Sequence, residues 1–302
     1  MSNDKKLTIK RLLIFLVISF LPFIVIVPIM WAYYGEPIFV SEKDNVMAAT
    51  SVLGVFGMMI PSCANLITRL VTREGFGRSY LGLNCKGKMG YFIASVLVPL
   101  AYSAVTMLVL CAVQFGGIQE SLASPSLQNT GLFLLNLAFS IVIFFPAFGE
   151  EWGWRGYMMP KLMELMPKPA AVAAGGVIWG LWHAPLTAAG HNFGVDYPGY
   201  PWLGILFMCV DCVCMNAFLT LITEKTRSVY PAAFAHALNN NLSATILLSI
   251  FGTQAAAEQL TDIEPMSFFM VYLAVLALVG IVSMILLLKG GKKGSAALDN
   301  AA

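Results

Sequence analysis

Eight apolar runs divide the chain, at about Leu12–Tyr34, Val46–Thr68, Met89–Val113, Gly131–Gly149, Ala170–Ala189, Trp202–Thr223, Pro231–Phe251 and Met266–Leu288. Short polar or charged segments separate them. Each run is near the roughly 20 residues that a helix needs to cross a bilayer. Lipid offers the backbone no hydrogen bonds, so an apolar crossing segment closes its own as a helix. The pattern therefore predicts an all-α, polytopic integral membrane protein of about eight transmembrane helices. Residues 1–11 form a polar N-terminus, 12–288 one transmembrane domain, and 289–302, rich in Gly, Lys and Ala, a tail expected to be disordered. The first run is too long for a signal-peptide core of about 7–15 residues, and no small-residue cleavage site follows it. It reads as a membrane helix kinked near Pro22 or Pro28. The fourth run can continue as helix through Glu150 and Glu151 towards Pro160.

Composition agrees. Hydrophobic residues make up 58% of the 302 residues and charged ones 11%, against about 25% charged in soluble domains. No basic stripe points to nucleic acid. The six cysteines do not make a secreted disulfide pattern; five lie in apolar runs and read as buried thiols. Charge is distributed unevenly. Of 18 Lys and Arg, 17 fall in the N-terminus, the Arg69–Lys88 loop, the connections holding Arg155, Lys161 and Lys168 and then Lys225 and Arg227, and the tail; Lys43 alone lies opposite. The positive-inside rule then puts both termini in the cytoplasm.

Ionisable groups inside apolar segments are costly and mark function. Glu150 and Glu151 end the fourth run. On a helix Glu151 and Arg155 are four apart and can pair, while Glu150 points about 100° away and is free for another task. His183 and His236 also lie in apolar runs. Trp179 shares a face with His183, and His236 with Asn240. At about 1.5 Å per residue, His236 lies roughly 14 Å beyond Arg227, His183 roughly 22 Å beyond Lys168 and Glu150 roughly 16 Å before Lys161, so the three can meet. The third histidine, His191, reads as a solvated loop residue. A carboxylate, two imidazoles and an amide suit amide-bond hydrolysis: a base for water, and donors for the oxyanion. Glu150, His183 and His236 also make a two-His-one-carboxylate set for a divalent metal such as zinc. Spacing does not choose between them. Asp211, amid Cys209, Cys212, Cys214 and Asn216, needs a partner or a cavity and matches no motif.

Glu-Glu-x-x-x-Arg at Glu150–Arg155, Trp-x-x-x-His at Trp179–His183 and His-x-x-x-Asn at His236–Asn240 occur in this order, over about Gly131–Ile250. Together they resemble the three motifs of the CAAX protease and bacteriocin-processing enzyme (CPBP) family of intramembrane proteases. The resemblance implies an eight-helix fold and peptide-bond cleavage at a site open to the cytoplasmic side and lipid. It implies Glu150 and His183 as the water-activating pair, His236 and Asn240 as oxyanion stabilisers, and Glu151 with Arg155 as a supporting ion pair. It leaves zinc-dependent and glutamate-only chemistry both open. Trp179 stands where the family's second motif often has Phe, a change expected to affect packing more than chemistry. The expected partners are membrane lipids and a peptide, lipid-anchored or membrane-protein substrate, in a bacterial cytoplasmic membrane. The rival readings are a proton-coupled transporter, which intramembrane Glu, His and Asp also suit, and a non-catalytic scaffold or immunity protein. No repeat relating the two halves supports the transporter.

Overall fold

The computed structural model describes residues 3–77, 79–83, 85–114, 127–241 and 265–299. They form helices with no named strand among them; one isolated antiparallel bridge joins Leu81 and Ser228. In chain order the helices are α1 (Asn3–Tyr34), α2 (Asp44–Gly57), α3 (Ile60–Val71), α4 (Met89–Gln114) and α5 (Leu127–Gly153). A π-helical turn, Trp154–Met158, leads into α6 (Met159–Leu165), followed by α7 (Lys168–Trp182) and α8 (Ala184–Ala188). The last three are α9 (Trp202–Thr226), α10 (Tyr230–Asn241) and α11 (Pro265–Asp299). Five helices are long and apolar enough to cross a membrane, or six if the bent pair α2–α3 is one span.

The departures from eight simple spans have local causes. The second run breaks with a 40° bend between α2 and α3. Pro61, in the first turn of α3, has no N–H to return to the preceding turn. The fourth run extends far past its apolar boundary, as α5, the π turn and α6, and Phe133–Leu165 qualifies as one span. Arg155, assigned above to a loop, is buried inside it with 1% exposure. The fifth run is a helix of 15 residues that stops at His183. Pro185 cannot donate to Leu181, so the helix does not run on to Ala189 as one element. The part of the seventh run beyond Asn241 lies outside the described residues. α11 continues to Asp299, so most of the tail expected to be disordered is helical. Extending an existing helix avoids the cost of nucleation.

Close packing sets the centre of the bundle. α7 lies along α9, α10 along α5, and α11 along α9. Gly176 and Gly180 form a G-x-x-x-G pair on α7, a spacing that lets helix backbones approach in lipid. A Cβ on Gly176 would stand 2.4 Å from Val213 Cα and 2.8 Å from its N, and one on Gly180 would stand 2.5 Å from Cys209 Cα. These are backbone atoms of α9 and cannot swing aside. Gly176→Ala should therefore part the two helices and lower stability by about 1–3 kcal/mol, read as a drop in melting temperature in detergent. An unchanged melting temperature would show that α7 and α9 pack differently.

One end of the bundle is tied by polar contacts between loops. Glu74 accepts from Lys161 Nζ at 2.5 Å and from Tyr157 Oη at 2.9 Å, and lies 3.5 Å from Arg11 Nε. Burial raises the Glu74 carboxyl, but Lys161, Tyr157 and Arg11 outweigh it and hold the group below its usual range. The unfolded chain therefore binds the proton more readily. The stabilisation is complete above the unfolded value of about 4.3 and is lost as pH falls through the folded one. Glu74→Gln should flatten that acid limb of the melting temperature against pH. An identical limb in the variant would assign it elsewhere.

Candidate active site

Glu150, His183, His236 and Asn240 all line one cavity of about 470 Å³. Three elements supply them: α5, the end of α7, and α10. Asp211, His191, Trp179, Tyr272 and Cys212 also face it. Glu151 and Arg155 do not; they form the layer behind.

Glu150 is 2% exposed. Its Oε2 accepts two indole N–H groups, from Trp179 at 2.7 Å and Trp154 at 3.2 Å. Trp179 also lies under the Arg155 guanidinium, 4.0 Å from Cζ to the ring centroid. This corrects the expectation that Trp in place of Phe alters packing more than chemistry. The indole N–H holds the carboxylate, and a phenyl ring has no such donor.

The end of α7 shapes His183. Its backbone N–H turns back to Gly180 O at 3.1 Å, which leaves Trp179 O for the imidazole, 2.9 Å from Nδ1. A carbonyl only accepts, so Nδ1 carries the proton and Nε2 keeps its lone pair. The break caused by Pro185 thus orients the ring.

Glu151 Oε1 accepts from Arg155 Nη1 at 2.8 Å and lies 2.8 Å from His236 Nδ1. The ion pair read from the i,i+4 spacing is present. Its carboxylate also holds a histidine 85 residues away in the chain. All three side chains are at most 5% exposed. Asn240 is exposed, and its Oδ1 accepts from Asn239 Nδ2 at 3.3 Å. Asn239 Oδ1 in turn accepts from Tyr102 Oη at 2.5 Å and Tyr272 Oη at 2.7 Å. That network fixes the end of α10 and carries no sequence motif.

Glu150, His183 and His236, expected above as a zinc set, share the cavity. Among the described residues, no three His, Cys, Asp or Glu side chains are placed to hold a metal ion. Each is engaged through one atom: Glu150 Oε2 by two indoles, His183 Nδ1 by the Trp179 carbonyl and His236 Nδ1 by Glu151.

Two other expectations change. His191 is half-buried rather than a solvated loop residue; it lines the cavity and packs on Phe39, ring centroids 4.9 Å apart. Asp211, 7% exposed, lines the cavity beside Tyr272, and its Oδ1 has no hydrogen-bond partner among the described residues. Asp211 was legible as an anomalous charge, but nothing in its neighbourhood in the chain said where it pointed.

Fold and site together define a polytopic helical membrane protein with a carboxylate and two imidazoles facing one intramembrane cavity. Residues 129–242 match the family model of type II CAAX prenyl endopeptidase Rce1-like proteins. A curated relative, CAAX prenyl protease 2 of Methanococcus maripaludis, is 27% identical over 153 residues, which is 49% of this chain. The match spans 53% of that relative's length. The matched segment holds all three motifs, at Glu150–Arg155, Trp179–His183 and His236–Asn240.

Proposed function

We propose that the protein is an intramembrane endopeptidase acting on peptide or membrane-associated protein substrates. The observation that carries this reading is the meeting of Glu150, His183 and His236, from three separate helices, in one cavity of about 470 Å³. Glu150 is the general base. Its Oε2 is held by Trp154 and Trp179, which leaves Oε1 to take a proton from water. His183 Nε2 accepts the water's other hydrogen and orients it. The water oxygen adds to the scissile carbonyl carbon. The Glu150 proton then passes to the leaving nitrogen as the C–N bond breaks. His236, with Nδ1–H on Glu151, presents Nε2–H to the oxyanion when the ring is protonated, and Asn240 Nδ2 is a second donor. The low dielectric around these groups strengthens each contact.

This mechanism is written with Glu150 as the base and with no step through a metal. On this reading cleavage should survive exhaustive chelation in metal-free buffer. Activity lost to a chelator and restored by zinc would instead require Glu150, His183 and His236 to turn towards one ion.

The direct test is the purified full chain in detergent with a quenched-fluorescence peptide library. Cleavage that disappears in Glu150→Gln supports the endopeptidase. Ion-gradient-driven uptake in vesicles without cleavage would support the transporter.

A further inference from the structure

We propose that Asp211 is a specificity residue: it forms a second subsite of the cavity, which receives a lysine or arginine side chain of the substrate near the bond that is cut. The proposal rests on the endopeptidase reading for what enters the cavity, and on the surroundings of Asp211 for the charge that is received.

Asp211 comes from α9, a helix that takes no part in the catalysis described above. Met208, Asp211, Cys212 and Met215 line the cavity, at the i, i+3, i+4, i+7 spacing of a single helix face. Met208, Cys212 and Met215 are apolar packing groups. Asp211 is a carboxylate at 7% exposure, in a helix of 25 residues that is long and apolar enough to cross a membrane. A charge in this setting is costly unless it is paired. Glu150 is met by two indole N–H groups and Glu151 by Arg155. Asp211 has less. The Tyr272 hydroxyl lies beside it, but has a single proton for Asp211 and for Asn239 Oδ1, the latter 2.7 Å away. Asp211 Oδ1 has no hydrogen-bond partner among the described residues.

No cation of the protein answers this charge among the described residues. Between Met89 and Leu288 the chain holds five Lys and Arg. Arg155 pairs with Glu151, Lys161 with Glu74, and Lys168 and Arg227 with Glu224. Lys225 lies on the same helix as Asp211, but roughly 21 Å further along it. Among the described residues no Lys or Arg lines the cavity.

The walls suit a long basic side chain. Phe269 and Tyr272 line the cavity with Asp211, their ring centroids 5.6 Å apart. Aromatic rings pack on the methylene stem of lysine or arginine and attract its charge. In trypsin-like proteases, a carboxylate in the specificity pocket sets the choice of substrate side chain in the same way. Glu150 lines this cavity too, so the basic residue stands close in sequence to the scissile bond.

The test uses the purified full chain in detergent and a quenched-fluorescence library of N-acetylated peptides, in which lysine and arginine side chains are the only cations. The peptides cut should share a lysine or arginine at one fixed position relative to the cut. Norleucine keeps the stem of lysine and lacks its ammonium group. Placing it there should lower kcat/KM on the order of 30-fold, the lower end for removing one partner of a buried charge pair. In Asp211→Asn the ratio between the lysine and norleucine peptides should fall towards one. A purely structural Asp211 would instead lower the melting temperature of the variant and slow both peptides by one factor, leaving the ratio intact; that result overturns the proposal. Equal cleavage of the two peptides by the parent chain also overturns it, and needs no variant to fold. If no peptide is cut, the endopeptidase reading fails and binding decides the subsite. The lysine-containing pool should then raise the melting temperature of the parent chain, and the same pool with norleucine should not. Equal shifts overturn the subsite as well.

Discussion

Glu150→Gln should leave a folded protein that no longer cuts peptides. The carboxylate is 2% exposed and is held only through Oε2, by two indole N–H donors. A glutamine carbonyl accepts the same two bonds, so the local contacts survive. It is also neutral, and burying a neutral amide costs less than burying a charge. Stability should be equal to wild type or higher. What is lost is the oxygen that takes the proton from water. General-base catalysis contributes typically about 10²–10⁴-fold, and the loss should be at least of that order. A melting curve beside a cleavage rate separates the two effects. Near-normal turnover in Glu150→Gln would remove Glu150 from the centre of the mechanism.

Glu151→Ala should behave in the opposite way, with stability and activity falling together. Glu151 is fully buried and its Oε1 serves both Arg155 and His236. Removing it leaves a guanidinium at 1% exposure without its anion. Breaking a buried pair from one side costs on the order of 3–5 kcal/mol. His236 also loses the acceptor that orients its ring, so cleavage should fall even in the fraction that folds. The charge swap Glu151→Arg with Arg155→Glu separates these roles. It restores a pair at the same spacing and should recover part of the melting temperature. It also sets an arginine against His236 Nδ1, where a donor faces a donor, and should not recover cleavage. A fully stable Glu151→Ala, or an active swap, would mean that the layer behind the cavity does not depend on this carboxylate.

The two neighbouring glutamates show how far the chain could be read before its folding was known. Glu151 and Arg155 are four apart, and one turn of helix brings them together whatever the rest of the protein does. The separate direction of Glu150 was legible for the same reason. The second partner of Glu151 was not, because His236 lies on another helix and only packing brings it there. Trp179 is a sharper case. Its place four residues before His183 was plain, yet its bond to Glu150 depends on the crossing of α7 and α5. The π turn at Trp154–Met158 left no mark in the hydropathy pattern, although such turns recur at functional sites. His191 looked like a loop residue because its neighbours in the chain are polar, but its environment is set by Phe39 and the cavity.

The sequence by itself determined that the chain is a bundle of membrane helices. Lipid leaves the backbone only its own segment for hydrogen bonds, so a long apolar run specifies a helix locally. It also determined which residues are chemically out of place in that setting: Glu150, Glu151, His183, Asp211 and His236. Their partners, and the cavity they share, were decided only by the tertiary structure. Both depend on contacts between helices distant in the chain, set where the Gly176 and Gly180 backbone meets α9 and where prolines end a helix early. No periodicity along a single helix records them, because lipid-facing and helix-facing positions are equally apolar.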